Sequence, residues 1–203
     1  MEHPDYPCLF ISASPARIVS HKKNTGARCK IFLMKENDIG VNSRVTNLHT
    51  LPVEVYARTT NGRDSLSGNI RFFHSYDCCA RQYWRSRPLC SSENTIVIIG
   101  FGNYGRCILE RAILTNIISV DQHVAYHIFG DASVFLSMHS HLHKTFSLNR
   151  ESETMDSLIF HDDLWEQCAD LLERADRIII CTDDEPDGWN IFWRLNSYYK
   201  INF

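Results

Sequence analysis

What this 203-residue chain lacks narrows its chemistry before any motif is read. No run of about 18 apolar residues exists, so no membrane-spanning helix is encoded. The opening residues, Met1-Glu2-His3-Pro4-Asp5, do not have the basic-then-apolar order of a signal peptide. There is no excess of cations. Lys and Arg number 21 against 24 Asp and Glu, a formal charge of −3, which leaves no electrostatic footprint for nucleic acid or an anionic membrane surface. None of the eight cysteines forms C-x-x-C, and several fall in apolar strand or helix patterns. Reduced, buried thiols fit them better than a disulfide framework or a zinc site. None of the eight tyrosines is followed four positions later by lysine, and neither a G-x-S-x-G elbow nor a Walker A lysine occurs.

What is present begins with Thr95-Ile96-Val97-Ile98-Ile99-Gly100-Phe101-Gly102-Asn103-Tyr104-Gly105. Four β-branched residues run straight into a G-x-G-x-x-G turn. The pattern predicts a buried strand, a tight turn and a helix start. Gly100 permits the turn, Gly102 lets backbone approach a pyrophosphate, and Gly105 lets helix pack on strand. The helix N-terminus offers free N–H groups and the positive end of a dipole to phosphate. Tyr104, Ile108 and Ala112 recur at helical spacing, with Leu109 and Ile113 beside them.

With 44% hydrophobic and 22% charged residues, the chain suits one large globular domain or two small ones. Its first part predicts strands at about 8–11, 29–34, 53–58 and 69–74. A polar, basic loop is expected over 20–28 and a helix over 38–49. A further helix over 76–87 is stopped by Pro88. After the glycine stretch, the first helix fades near Leu114-Thr115 and a connection covers 116–123. A strand follows at 124–129. Val134, Phe135, Met138 and Leu142 mark a short helix. Residues 147–156 read as a polar loop and 157–161 as a strand. Asp163 with Glu166 three positions on reads as a capping box, opening a helix with Leu164, Cys168, Leu171 and Ala175 as its buried stripe. The last strand is 177–181. The last helix, about 188–198, has Ile191 and Leu195 on its inner face. Strand–helix alternation predicts an α/β fold with a Rossmann-like, doubly wound parallel sheet over residues 92–203. A partial α/β unit with a joining helix precedes it, over residues 1–91.

Two segments resemble one family. Val97-Ile98-Ile99-Gly100-Phe101-Gly102-Asn103-Tyr104-Gly105-Arg106 and Ala175-Asp176-Arg177-Ile178-Ile179-Ile180-Cys181-Thr182-Asp183-Asp184-Glu185, in this order and separation, resemble the RCK domain, the regulator of potassium conductance, also called the Trk-type NAD-binding domain. The resemblance covers about residues 69–200. It implies an RCK N-terminal-domain type of sheet and binding of NAD(H), with ADP or ATP as alternatives. It also implies a cytoplasmic place beside a membrane channel or transporter subunit, and assembly with further copies or RCK-like domains. By this resemblance Gly100, Gly102 and Gly105 would hold phosphates, with Phe101, Asn103, Tyr104 and Arg106 beside them. Thr182 and Asp183 would line the pocket at the carboxyl edge of the sheet. One departure is visible. Asp131, the carboxylate available for the ribose hydroxyls, lies 31 positions after Gly100, later than the roughly 20 of the fingerprint. Because no Arg or Lys follows it until Lys144, Asp131 implies NAD(H) over NADP(H).

Other clusters have plainer explanations. His139, His141 and His143 recur at every second residue without a cysteine or carboxylate at ligand spacing, and suit a solvated face better than a metal site. Asp162-Asp163 suits a helix cap. Lys30 to Asp38 echoes Arg177 to Glu185 in layout, as the back end of an earlier unit would. No catalytic or metal-binding residue is assigned. Three functions stay open: a nucleotide-binding regulatory module, a nicotinamide-dependent oxidoreductase with its substrate half in residues 1–90, and an interaction scaffold with an empty pocket. The second unit shows four clear strands, so a homo-oligomer, a longer natural chain, or completion by strands 53–58 and 69–74 would cover its edges. Tyr76, Ala80, Tyr83 and Trp84 are the expected assembly face.

Overall fold

The computed structural model describes residues 8–11, 29–33, 54–59, 65–67, 70–116, 119 and 121–199. The chain divides into two compact units, Met1–Cys78 and Cys79–Phe203. In the first, β1 (Cys8–Ile11), β2 (Cys29–Leu33), β3 (Glu54–Thr59), β4 (Ser65–Ser67) and β5 (Ile70–His74) form one sheet in the order β1-β2-β3-β5-β4. All pairs are parallel except β4 on β5. Residues 53–58 and 69–74 therefore do not complete the second sheet, because β3 and β5 pair with each other in the first. The helix expected at 38–49, the loop at 20–28 and the acidic turn after β2 lie outside the described residues.

Helix α1 (Ser75–Ser86) spans the division between the units. It ends where Pro88 lacks an N–H and crowds the preceding turn. Ala80 and Trp84, two of the residues expected on an assembly face, are buried. Trp84 donates its indole N–H to the Ile108 carbonyl at 2.9 Å. That partner lies in the same unit, so this side chain is not offered outward.

The second unit is built on β6 (Thr95–Ile99), whose Ile96, Val97, Ile98 and Ile99 are almost wholly buried. Alternate side chains point to opposite faces of a strand, so burial of all four means that both faces are covered, as a parallel sheet requires. Helix α2 (Asn103–Thr115) leads to β7 (Ala125–Phe129). Then come α3 (Ser133–Met138), β8 (Ser147–Leu148), β9 (Ser157–His161), α4 (Ala169–Arg174), β10 (Arg177–Ile180) and α5 (Glu185–Tyr199). The five strands form a parallel sheet in the order β10-β6-β7-β9-β8. The chain leaves β6 towards β7 and returns on the other side as β10. The strand order thus reverses at β6, and a crevice outside the carboxyl ends of β6 and β10 is where such sheets receive ligands. One face packs Val97, Ile99 and Phe129 against Trp165, Leu171, Leu172 and Leu195.

Three readings change here. The polar stretch 147–156 contains β8, a fifth strand paired with β9. Ser147 N–H donates to the Asp156 carbonyl and Asn149 N–H to that of Leu158. Asp163 does not cap a helix. A single 3-10 turn (Trp165–Gln167) starts after Leu164, with no side-chain cap, and Glu166 instead pairs with Arg194 at 2.5 Å. Leu164 is consequently exposed rather than part of the stripe, while Cys168, Leu171 and Ala175 do face the core. Finally, α5 begins at Glu185, earlier than expected, because Pro186 falls in its first turn, where a missing N–H costs nothing. No described helix is long and apolar enough to cross a membrane.

Candidate functional site

The glycine stretch folds as strand, turn and helix at the reversal point. Gly100 has φ +93°, a conformation that side chains rarely adopt, and a Cβ there would stand 2.6 Å from the Cys181 carbonyl oxygen. A Cβ on Gly105 would collide with the Gly100 carbonyl and approach Cys181 Cβ. Both glycines are demanded by the fit of turn, helix and β10, whatever else they do. Gly102 is different. It is exposed, and what a Cβ there would meet is the Asp183 carboxylate, with Oδ2 at 2.6 Å.

Asp183 is the centre of the arrangement. Its Oδ2 accepts the Asn103 N–H and its Oδ1 the Tyr104 N–H, each at 2.9 Å. These are the first two N–H groups of α2, which have no partner inside the helix. Gly102, in the capping position, has no side chain to satisfy them. A carboxylate from the loop after β10 does so instead, with the positive end of the helix dipole behind it. Asp183 is exposed and makes no ion pair among the described residues. Its loop is tightened by Thr182, whose hydroxyl donates to the Asp184 carbonyl at 2.7 Å. Gly188 in α5 leaves room for that hydroxyl, since a Cβ there would come within 2.8 Å of it.

The remaining residues read from the sequence surround this centre unequally. Arg106 bonds through Nε to the Gly102 carbonyl and through Nη2 to Asn103 Oδ1, which braces the first turn of α2. Phe101 turns its ring into the core, edge-on to Phe135 and Phe160, so what it presents to the loop is backbone. Tyr104 is half-buried, and burial, with Cys181 nearby, pushes its hydroxyl up to about 12. Asp131 follows Gly130, whose φ is +137° and whose missing Cβ admits the Phe101 N–H at close range. This brings the end of β7 against the glycine loop. The Asp131 carboxylate accepts the Ser133 N–H at 2.9 Å. Hydrogen bonding to Ser133, with Arg106 contributing, holds it below the usual carboxylate range. Cys181 lies beneath the loop, fully buried, and burial pushes its thiol up to about 12.

Two features escaped the sequence reading. A cavity of about 380 Å³ lies at the far end of α2, where Arg81, Arg85 and Arg111 surround the apolar Trp84 and Leu89. The second is a charge pair 84 positions apart. Arg177 donates from Nε and Nη2 to the two oxygens of Glu93, both at 2.7 Å, and from the same guanidinium to the Arg87 and Pro88 carbonyls. It also stands 5.4 Å from the centre of the Trp84 ring. Burial raises the Glu93 carboxyl, but the bonds from Arg177 and the Cys90 N–H outweigh it and leave the group below its ordinary value. The histidines at 139 and 143 each have their own partner, Glu110 and the Ser140 carbonyl. Among the described residues no group of three metal-ligating side chains occurs. Comparison with protein-family models, with curated proteins and with solved structures finds no match.

Proposed function

We propose that this chain is a regulatory nucleotide-binding module of the RCK type, with a Rossmann-like, doubly wound second unit, linked to cytoplasmic control of potassium or other cation transport. The observation that carries the reading is the N-terminus of α2 at the reversal point between β6 and β10, where two backbone N–H groups hold the chain's own Asp183 carboxylate. A phosphate has the charge and the acceptor geometry for the same place. NAD(H) is the first ligand proposed, with ADP or ATP next. Asp131, beside the loop and ionised, would accept from the ribose hydroxyls and repel a 2′-phosphate. Ligand occupancy would bias the geometry of a homo-oligomer, of further RCK-like domains, or of a channel or transporter subunit. That requires different affinity for two states of the assembly.

A second reading is favoured by one specific observation. If the Asp183 carboxylate fills the anion position for good, the unit is an interaction scaffold without a nucleotide. Calorimetry with NAD, NADH, ADP and ATP separates the two. Binding by the wild-type chain, lost in Gly102→Val while circular dichroism is unchanged, supports the module. Gly102 is the position to alter, because the atoms nearest an added Cβ there belong to the Asp183 side chain, whereas Gly100 and Gly105 abut backbone. No binding of any of the four leaves the scaffold.

A further inference from the structure

We infer that Asp183 is a built-in competitor for the phosphate: in the free chain its carboxylate occupies the N–H groups of Asn103 and Tyr104, and a phosphorylated ligand binds only by turning it out. The inference rests on the nucleotide reading and goes beyond it by assigning Asp183 the opposite role. By resemblance it would help hold the ligand; by geometry it stands in the ligand's place.

Three observations carry this. Both Asp183 oxygens are used, one on each N–H, so neither donor is left for a ligand. The carboxylate also fills the space that Gly102 leaves by having no side chain, the space through which a pyrophosphate would approach the backbone. A phosphate and a carboxylate cannot share two donors, since both are anionic and each would lose its partner. Meanwhile nothing beyond these two bonds fixes the side chain. It is exposed and has no ion pair among the described residues. Rotation into water therefore strands no buried charge, and the Thr182–Asp184 turn stays in place while it happens.

The ligands that feel this competition are those with a phosphate at the helix terminus. A nucleoside without phosphate does not. Removing the carboxylate should also have opposite effects on the free and the loaded chain. The free chain loses a cap on α2 and melts at a lower temperature, while the phosphorylated ligand binds more tightly.

The test is calorimetric titration of ADP, NAD and adenosine into the full wild-type chain, Asp183→Ala and Asp183→Asn, with thermal melts of each free protein. Asp183→Asn keeps one acceptor for the helix and guards against loss of the fold. Expected are at least tenfold tighter ADP and NAD binding in Asp183→Ala, a smaller gain in Asp183→Asn, and unchanged behaviour towards adenosine. If the wild type binds ADP and both variants bind it equally or more weakly, the competition is wrong and the nucleotide reading stands. If none of the three proteins binds ADP or NAD, the nucleotide reading itself falls, and Asp183 is simply a cap.

Discussion

The two ends of β10 are built alike and behave differently. At its amino end, Asp176 Oδ2 accepts the N–H groups of Asn94 and Thr95 at 2.7 and 2.9 Å. At its carboxyl end, Asp183 accepts those of Asn103 and Tyr104. Each carboxylate thus ties two N–H groups from a segment roughly eighty positions earlier. The surroundings differ. Beside Asp176 the chain is closed by the Arg177–Glu93 pair, largely shielded from water and saturated by four hydrogen bonds from one guanidinium. Asp183 stands against a glycine and makes no ion pair among the described residues. Both carboxylates are exposed, so what sets the ends apart is the shielded Arg177–Glu93 pair, which locks the amino end and has no counterpart beside Asp183.

The comparison breaks most severely at Arg177. Arg177→Ala leaves the part-buried Glu93 carboxylate without its partner, at a cost of about 2 kcal/mol, between that of an exposed and of a buried pair. Urea denaturation of the variant reads this directly; a loss below about 1 kcal/mol would mean that the pair is no lock. Double replacement, Arg177→Met with Glu93→Gln, should recover part of the loss.

Acid shows what burial does even beside a carboxylate, here that of Glu151. His127 is 3% exposed, its Nε2 stands 3.3 Å from the Glu151 carboxylate, and its Nδ1 stands 3.0 Å from His161 Nε2. Burial first, and His161 second, push it down to about 4. Its folded value lies below its unfolded one, so the stability present above about pH 6.5 is lost as the pH falls towards 4. The unfolded chain takes up a proton in that window and the folded chain does not. The loss reaches about 3 kcal/mol at most. His161, also shifted down by burial, adds to the slope. Stability of wild type and His127→Phe at pH 7, 5.5 and 4 should diverge, with the variant flatter; parallel curves would refute it.

The carboxylates themselves come last. Asp176→Ala should lose about 1–2 kcal/mol, since two donors at the start of β6 are released. Asp183→Ala should lose less, about 1 kcal/mol, the cost of a helix cap. Thermal melts of the two variants side by side test the ranking, and a larger loss in Asp183→Ala would reverse the comparison.

The ends of β10 also mark how far the amino-acid order could be read. Ile96 to Ile99 and Ile178 to Ile180 announced themselves as strands because both are unbroken β-branched runs, and the glycines placed the turn between β6 and α2. Ser147-Leu148 did not, because two residues carry no periodicity and β8 exists through pairing with β9. Asp163 and Glu166 matched a capping box in spacing, yet Arg194, from a different helix, claims Glu166. Asp183 was read as a pocket residue, but its bonds to Asn103 and Tyr104 were not foreseen. A carboxylate that lines a pocket and one that plugs it have the same spacing in the chain. Arg177 with Glu93 left no trace at all, since a pair 84 positions apart is brought together only by the order of strands.

The burial of Cys181 gives the molecule a chemical clock. Cys78, Cys79 and Cys90 are exposed thiols, whereas Cys181 is sealed under the glycine loop with its thiol held protonated far above neutrality. A thiol-specific alkylating reagent should mark the first three in the opening phase of the reaction and reach Cys181 only when the turn between β6 and α2 lifts from β10. Mass spectrometry of the Cys181 peptide over time then measures how often that end of the sheet opens, in the native chain and without any introduced probe.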